Sequence, residues 1–548
     1  MLTRRLSFLP LLLALAGGAQ AQAVAQAQGL TDGDARRFLA QASFGPTAAD
    51  VTALTQMGRQ GWVQKQFTLS GSDYVAPYVD PDSSKGCPTG SPETCKRDNY
   101  SLFPVQLQFF QNALSQPDQL RQRTALALSQ ILVVSGNTIK LPNAMANYQR
   151  IFLRNAFGNY RDILKEVTLS PAMGRYLNMA NNAKANPAKG IEPNENYARE
   201  VLQLFSIGLW ELSLDGTTKT STRMTTTGLI TGPIPAYDQD TVEGFAHAFT
   251  GWTYAPRPGA TKSRFGNPSY YDAPMIAFEE QHDTGTKKLL SGVVLPGGQR
   301  AAADLDAAIT NIFNHPNVGP FIGRQLIQQL VTANPSPAYV ARVASAFNAS
   351  PRGDMKRVLM AILTDPEAST PTDPSRFGKL REPIVQMTHL LRSMGAKSDG
   401  LWPMKQMSSL SQPVFSPPSV FSFFPPDYDL PVDPSLDGPA FGVFNASSAF
   451  KLSSVFSTAL SGKPIAPDTS IPNAIGTSID LTPWVTLAVQ PASLVAEIKR
   501  VMFGGRMSVA LESALLRAAQ ISPVSKPLER AKAALFLAAM SPEYLVEN

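Results

Sequence analysis

Apolar positions recur along this chain with a helical period over most of its length. Leu305, Ala308, Ile309, Ile312 and Phe313 fall at i, i+3, i+4, i+7 and i+8, one face of a helix. The stretch from Asn314 to Asn317 interrupts that face, and a second helix is predicted through Phe321, Ile322, Leu326, Ile327 and Leu330. Two more come after it, through Phe347 and through Leu363. Earlier, Thr47 and Asp50 form a capping-box pattern ahead of Val51, Leu54, Trp62 and Phe67. Arg121 to Val134 and Ile151 to Val167 read as helices, and so does much of 491–548. Two regions break the pattern. Residues 213–240 are rich in Thr and Gly and predict a loop or a short hairpin. The prolines of 403–440 (FSPPSVFSFFPPDYDLP) exclude a helix and a central strand, while the aromatics predict a segment ordered against the helical body. The fold class is therefore mainly α, a large multi-helix domain with loop and short-strand insertions. No repeat is evident and no linker divides the chain, so 31–548 is read as one domain, with 31–255, 256–400 and 401–548 as possible sub-parts.

The first residues carry a different signal. Arg4 and Arg5 precede an apolar run from Leu6 to Ala16, and Ala19 and Ala21 complete an A-x-A cleavage pattern. That run is 11 residues, against the about 20 that a bilayer-spanning helix needs. Residues 1–21 are read as a signal peptide and 22–30 as a disordered tail, so the mature protein is expected in the periplasm or outside the cell. The secretory route is favoured over the twin-arginine route, because Ser7 stands where the latter prefers Phe. Without Arg4 and Arg5, 46 Lys and Arg face 42 Asp and Glu, which lowers the net charge from +6 to +4. This mild excess contains no basic block, which argues against a nucleic-acid partner. No later segment is apolar for 18 residues, so no membrane span is expected in the mature chain. Cys87 and Cys95 are the only cysteines, and in an oxidising compartment they predict a small disulfide.

Several segments together resemble the domain of unknown function 1800 family. They are RRFLAQASFGPT at 36–47, NENYAREVLQLFSIGLWEL at 194–212, AFTGWTY at 248–254, HDTGTKKLL at 282–290 and NHPNVGPFIGRQLIQQLV at 314–331. KLREPIVQMTHLLR at 379–392, PPSVFSFFPP at 417–426 and SPEYLV at 541–546 continue the match in order. The resemblance implies an exported, largely helical bacterial protein, often encoded beside a sulfatase-like exported partner.

The polar residues of these segments supply the candidate chemistry. Asn194 suits a helix N-cap, and Glu195 with Arg199, and Asn196 with Glu200, stand at i, i+4. Val201, Leu204, Phe205 and Leu209 form the apolar stripe opposite. Glu195 or Glu200 can serve as a general acid/base or a metal ligand with Asn196 orienting, or the group can be an ion-pair network that fixes packing. His282 and Asp283 sit in a loop-like stretch, where an imidazole beside a carboxylate can bind a divalent metal or act as a base. His247 and His389 read as packing residues, and His315 as a backbone cap. The Thr250-Gly251-Trp252 turn and the phenylalanines of 415–424 are read as core or as an aromatic platform for a sugar or polymer.

No nucleophile elbow, zincin helix, phosphate-binding loop or dinucleotide fingerprint is present. Outside the cytoplasm ATP and nicotinamide cofactors are scarce, so hydrolysis or binding outranks kinase or dehydrogenase chemistry. Two expectations result. The first is a hydrolase acting on a polymer or envelope component through Glu195, Asn196, Arg199, Glu200, His282 and Asp283. The second is a non-catalytic envelope scaffold.

Overall fold

The helices form where the apolar period and the capping residues agree. In a computed structural model that describes residues 29–74, 86–225, 228–260 and 263–547, Thr47 and Asp50 close the reciprocal capping box of the helix Ala48–Thr68. Ser336, Asp354 and Ser508 cap three later helices with their side-chain oxygens. The segment read as a signal peptide, most of the expected tail and Asn548 lie outside the described residues. Ala301–Asn314, Val318–Leu330, Pro337–Asn348 and Met355–Leu363 are the four helices anticipated between 304 and 395. The stretch 151–167 is instead split between Pro142–Asn155 and Tyr160–Leu169. The side chain of Asn159 caps the second of these by accepting from Arg161.

One cluster of buried apolar side chains runs from Ala35 to Leu545. The strands among the described residues form only two-stranded antiparallel ladders. Residues 213–240 contain one of them, the hairpin Thr220–Thr225 with Gly228–Pro233. Another ties Lys379–Leu380 to Val546–Glu547, so the KLREP and SPEYLV segments are neighbours.

The proline- and phenylalanine-rich segment is held to the body by polar contacts to its backbone. Gln106 donates to the carbonyl of Val414 (2.7 Å), Gly136 N–H to Phe415 (2.8 Å) and Ser135 to Pro417 (2.6 Å). Phe415 packs edge-on against Tyr74 and Phe109. The short helix Leu401–Met407 accommodates Pro403 in its first turn, and a bulged hairpin over 429–437 places Pro434 in an outer strand.

Cys87 and Cys95 form the predicted disulfide. Its sequence separation is 8, and closing so short a loop restricts the unfolded chain by about 2–3 kcal/mol. Cys87→Ala with Cys95→Ala is expected to lower stability by about that amount. Denaturant titration with and without reductant checks it, since reductant should then have no further effect on the double variant.

Candidate functional site

The 194–212 segment forms a helix only over Asn196–Gln203. Asn194 assists its start from one residue further out than a cap, accepting from the Asn196 N–H at 3.0 Å. The helix ends because the Ser206 hydroxyl takes the Val201 carbonyl, and Gly208 adopts a left-handed φ of 74°. Leu209 therefore leaves the apolar stripe and is exposed.

The polar residues of this helix make a paired strip on the surface. Arg199 binds Glu195 at 2.7 Å, Gln239 bridges to Glu195 at 3.0 Å, and Asn196 donates to Asn178 at 3.2 Å. Burial pushes the Glu200 carboxyl up, opposed by Arg199.

The structure separates His282 from Asp283. His282 has extended backbone (φ −82°, ψ 140°), so consecutive side chains leave it in opposite directions. Its fully buried ring meets the carbonyl of Thr250 through Nδ1 and Asp304 Oδ2 through Nε2, both at 2.9 Å. Both ring nitrogens are thus occupied by protein oxygens. Asp304 also takes Lys287 at 2.7 Å and Gln299 at 2.8 Å. Gly251 makes the packing possible, since at its φ of 84° a Cβ would lie 2.9 Å from His282.

Asp283 holds a different histidine with one oxygen and lies 3.7 Å from Lys287 with the other. Its Oδ2 is 2.8 Å from His247 Nδ1, and the His247 side chain is 33% exposed. Burial raises the Asp283 carboxyl, but His247, the Gly285 N–H and Lys287 outweigh it and hold it below the usual range. The expectation that His247 is only a packing residue is thus corrected. His315 and His389 behave as read: His315 Nδ1 accepts the Asn317 N–H at 3.2 Å, and buried His389 meets the Tyr544 hydroxyl at 2.9 Å.

The six anticipated residues fall in two groups, Glu195, Asn196, Arg199 and Glu200 on the surface strip and His282 with Asp283 around Lys287. Gln239 joins the Glu195 strip to the first turn of the helix Gln239–Ala248, and His247 stands eight residues later. That spacing is about 12 Å along the axis. Among the described residues no group of three metal-ligating side chains converges, so His282 and Asp283 do not form the anticipated metal pair.

A cleft elsewhere brings unsatisfied chemistry together. One wall is the helix Val318–Leu330, where Phe321, Gln325 and Gln328 share a face at i, i+4 and i+7, while Ile322, Leu326, Ile327 and Leu330 are buried behind. The facing wall is Val420, Phe421, Phe424 and Pro426. Ser422 sits at a φ of 63°, a left-handed conformation uncommon for a side-chain-bearing residue. Its neighbours diverge there: Phe421 is 47% exposed and Phe423 is buried. Gln130, Lys379 and Glu382 complete the floor of a cavity of about 80 Å³. Trp252, by contrast, is buried and adds no face to an aromatic platform.

Beneath the floor lies an ionic layer. Arg123 is 3.8 Å from Glu382, and Arg381 is 3.7 Å from Glu547. Glu382 accepts from Gln130 at 2.8 Å and from Gln412 through one oxygen only. Fourteen buried side-chain polar atoms lack a hydrogen-bond partner among the described residues, and nine of them are here. The donors are Nε and Nη1 of Arg123, Nε of Arg381 and Nε2 of Gln325; the acceptors are on Gln130, Gln328, Glu382 and Glu547. Four of these atoms face each other in the ion pairs Arg123–Glu382 and Arg381–Glu547. The others keep hydrogen-bonding capacity that water or a bound group can take up, since a buried polar atom left alone costs about 1–3 kcal/mol.

Lys379 completes the floor. Burial, aided by Arg123 and opposed by Glu547 and Glu382, lowers its amine to about 7. The amine donates to the carbonyl of Gln329 and, at 3.5 Å, to that of Gln328, both in the last turn of the cleft helix. A neutral amine has two N–H donors, so these carbonyls leave its lone pair free.

The model of a family described as a protein of unknown function (DUF1800) matches residues 37–546. The chain belongs to this family. No curated protein and no solved structure matches it. Four of the segments that carried the resemblance meet at the cleft, supplying Leu204, Phe321 with its glutamines, Lys379 with Glu382, and the phenylalanines of 417–426. The sequence reading passed over Gln325, Gln328, Lys379 and Glu382. A glutamine-bearing face on an otherwise apolar helix was the available signal for Gln325 and Gln328; Lys379 and Glu382 had none.

Proposed function

We propose that this protein is an extracytoplasmic, hydrolase-like enzyme acting on a neutral polyhydroxylated polymer, whose end enters the phenylalanine- and glutamine-lined cleft. The observation that carries this reading is the mixture of donors and acceptors with spare hydrogen-bonding capacity below aromatic walls. An anion would meet the free oxygens of Gln130, Gln328 and Glu382, and a cation would meet Arg123 and Lys379. A hydroxyl both donates and accepts, and phenylalanine faces suit the C–H surfaces of sugar rings.

Lys379 supplies the base. Its neutral amine takes a proton from water, the water oxygen bonds to the electrophilic carbon as the bond from that carbon to the linking oxygen breaks, and the ammonium returns the proton to the departing oxygen. Export is supported by the N-terminal pattern and by a disulfide that persists in oxidising compartments.

A second reading is a non-catalytic scaffold working with a sulfatase-like exported partner. It draws on the hairpin at 220–233, which exposes Met224 and Leu229 at 75% and 69%.

The test combines binding and turnover. Titration calorimetry with neutral oligosaccharides and their uronic-acid and amino-sugar analogues should favour the neutral series, and Gln325→Leu should weaken it by about 1–3 kcal/mol. Preference for a charged analogue would overturn the cleft assignment. Release of new reducing ends separates the enzyme from the scaffold, which binds without turnover.

A further inference from the structure

The narrow cleft has a wide neighbour. A cavity of about 570 Å³ opens beside it, with Asp215, Arg324, Ser336, Asp373, Arg376 and Asp437 in its lining. The two spaces share a wall one residue thick. Asp437 lines the wide cavity, and Gly438, the next residue, lines the cleft.

Contacts from both sides fix that wall. Gln328, in the cleft, donates to Asp437 Oδ2 at 3.2 Å, and Arg324, one helical turn earlier and in the wide cavity, donates to the same oxygen at 2.6 Å. Asn334 clamps the Asp437 backbone from the other side, donating to its carbonyl at 2.9 Å and accepting its N–H at 2.8 Å. The buried Oε1 of Gln328, without a partner of its own, lies at this junction.

We propose that the wide cavity is the continuation of the cleft, a second subsite that takes the units adjoining the terminal one of the same neutral polyhydroxylated chain. The inference rests on the proposed role of the cleft. Four carboxylates, those of Asp215, Glu367, Asp373 and Asp437, stand with two guanidinium groups, so the cavity offers acceptors and donors together. The Asp215 and Asp373 carboxyls are held down by hydrogen bonds from Thr217 and Ser375, which keeps them as acceptors. Phe377 gives the lining an apolar face for ring C–H groups. The cavity begins one residue beyond the cleft, at Asp437, so a chain whose end fills the cleft has its adjoining units beside this lining.

The experiment is titration calorimetry of the mature chain with neutral β-1,4-linked glucose and N-acetylglucosamine series of increasing length. Affinity should rise about tenfold or more between the monosaccharide and the tetrasaccharide, the gain expected when a second contact becomes intramolecular. Arg376 is exposed and donates only to the Ser435 carbonyl (3.1 Å), so Arg376→Ala should fold normally and abolish the gain with length. Equal affinity for short and long members, or a gain that survives Arg376→Ala, would overturn the second subsite while leaving the cleft assignment in place. Failure of every member to bind would overturn both. Capture of a polypeptide in place of any sugar would assign the cavity to a protein partner and overturn the subsite.

Discussion

Asp304→Ala is expected to destabilise the protein by about 3–5 kcal/mol, the loss typical of removing one partner from a buried ion pair. The Asp304 carboxylate, fully buried, is the common acceptor for Lys287, His282 and Gln299. Without it the Lys287 amine keeps only the Gly285 carbonyl at 2.8 Å and Asp283 at 3.7 Å. Lys287→Met in the same background should recover much of the loss, because the orphaned cation goes with it. Denaturant titration of the two single variants and the double variant gives the coupling directly. A loss below about 1 kcal/mol for Asp304→Ala, or no recovery in the double variant, would show that this cluster does not hold the 276–299 region to the helix Ala301–Asn314.

The same cluster shows what the sequence could reveal. Periodicity and caps located helices well, because both are local: the Thr47–Asp50 box and the faces around Leu305 and Leu326 need no knowledge of the rest of the chain. The His282-Asp283 pair was visible as a polar pair, but its partners were not. In extended backbone the two side chains diverge, one to Asp304 and the other back to His247. The two side chains rejoin through Lys287, which lies 2.7 Å from Asp304 and 3.7 Å from Asp283. The helix from 194 was read too long, since its end depends on a serine competing for a carbonyl and on a glycine whose left-handed φ shows only in three dimensions.

The cleft was less legible still. Its chemistry is made by burial, which joins Arg123, the end of the helix Val318–Leu330, the Lys379–Glu382 run and the chain's last strand. Nothing local to Lys379 announces a depressed amine. What was readable was the refusal of the proline- and phenylalanine-rich segment to be a linker, and that segment does form the facing wall.

Lys379→Met is expected to remove about 10²–10⁴-fold of the proposed hydrolytic rate, the usual contribution of a positioned general base. In the wild type the rate should rise as pH increases through about 7, where Lys379 loses its proton, and then level off. The sign for stability is the same. A lysine depressed to about 7 in the folded protein titrates near its ordinary value, about 10.4, when unfolded. Between those two values the unfolded chain binds more protons, so stability rises with pH across that window and is lower below it. Lys379→Met should flatten both profiles. Lys379→Arg separates chemistry from scaffolding: arginine can still donate to the carbonyls of Gln328 and Gln329, yet it cannot give up its proton in this range. If Lys379 only caps that helix end, the arginine variant restores the rate, and the assignment of a base to this amine fails. If Lys379 is the base, neither variant recovers activity at any pH, although the arginine variant still binds the neutral oligosaccharide.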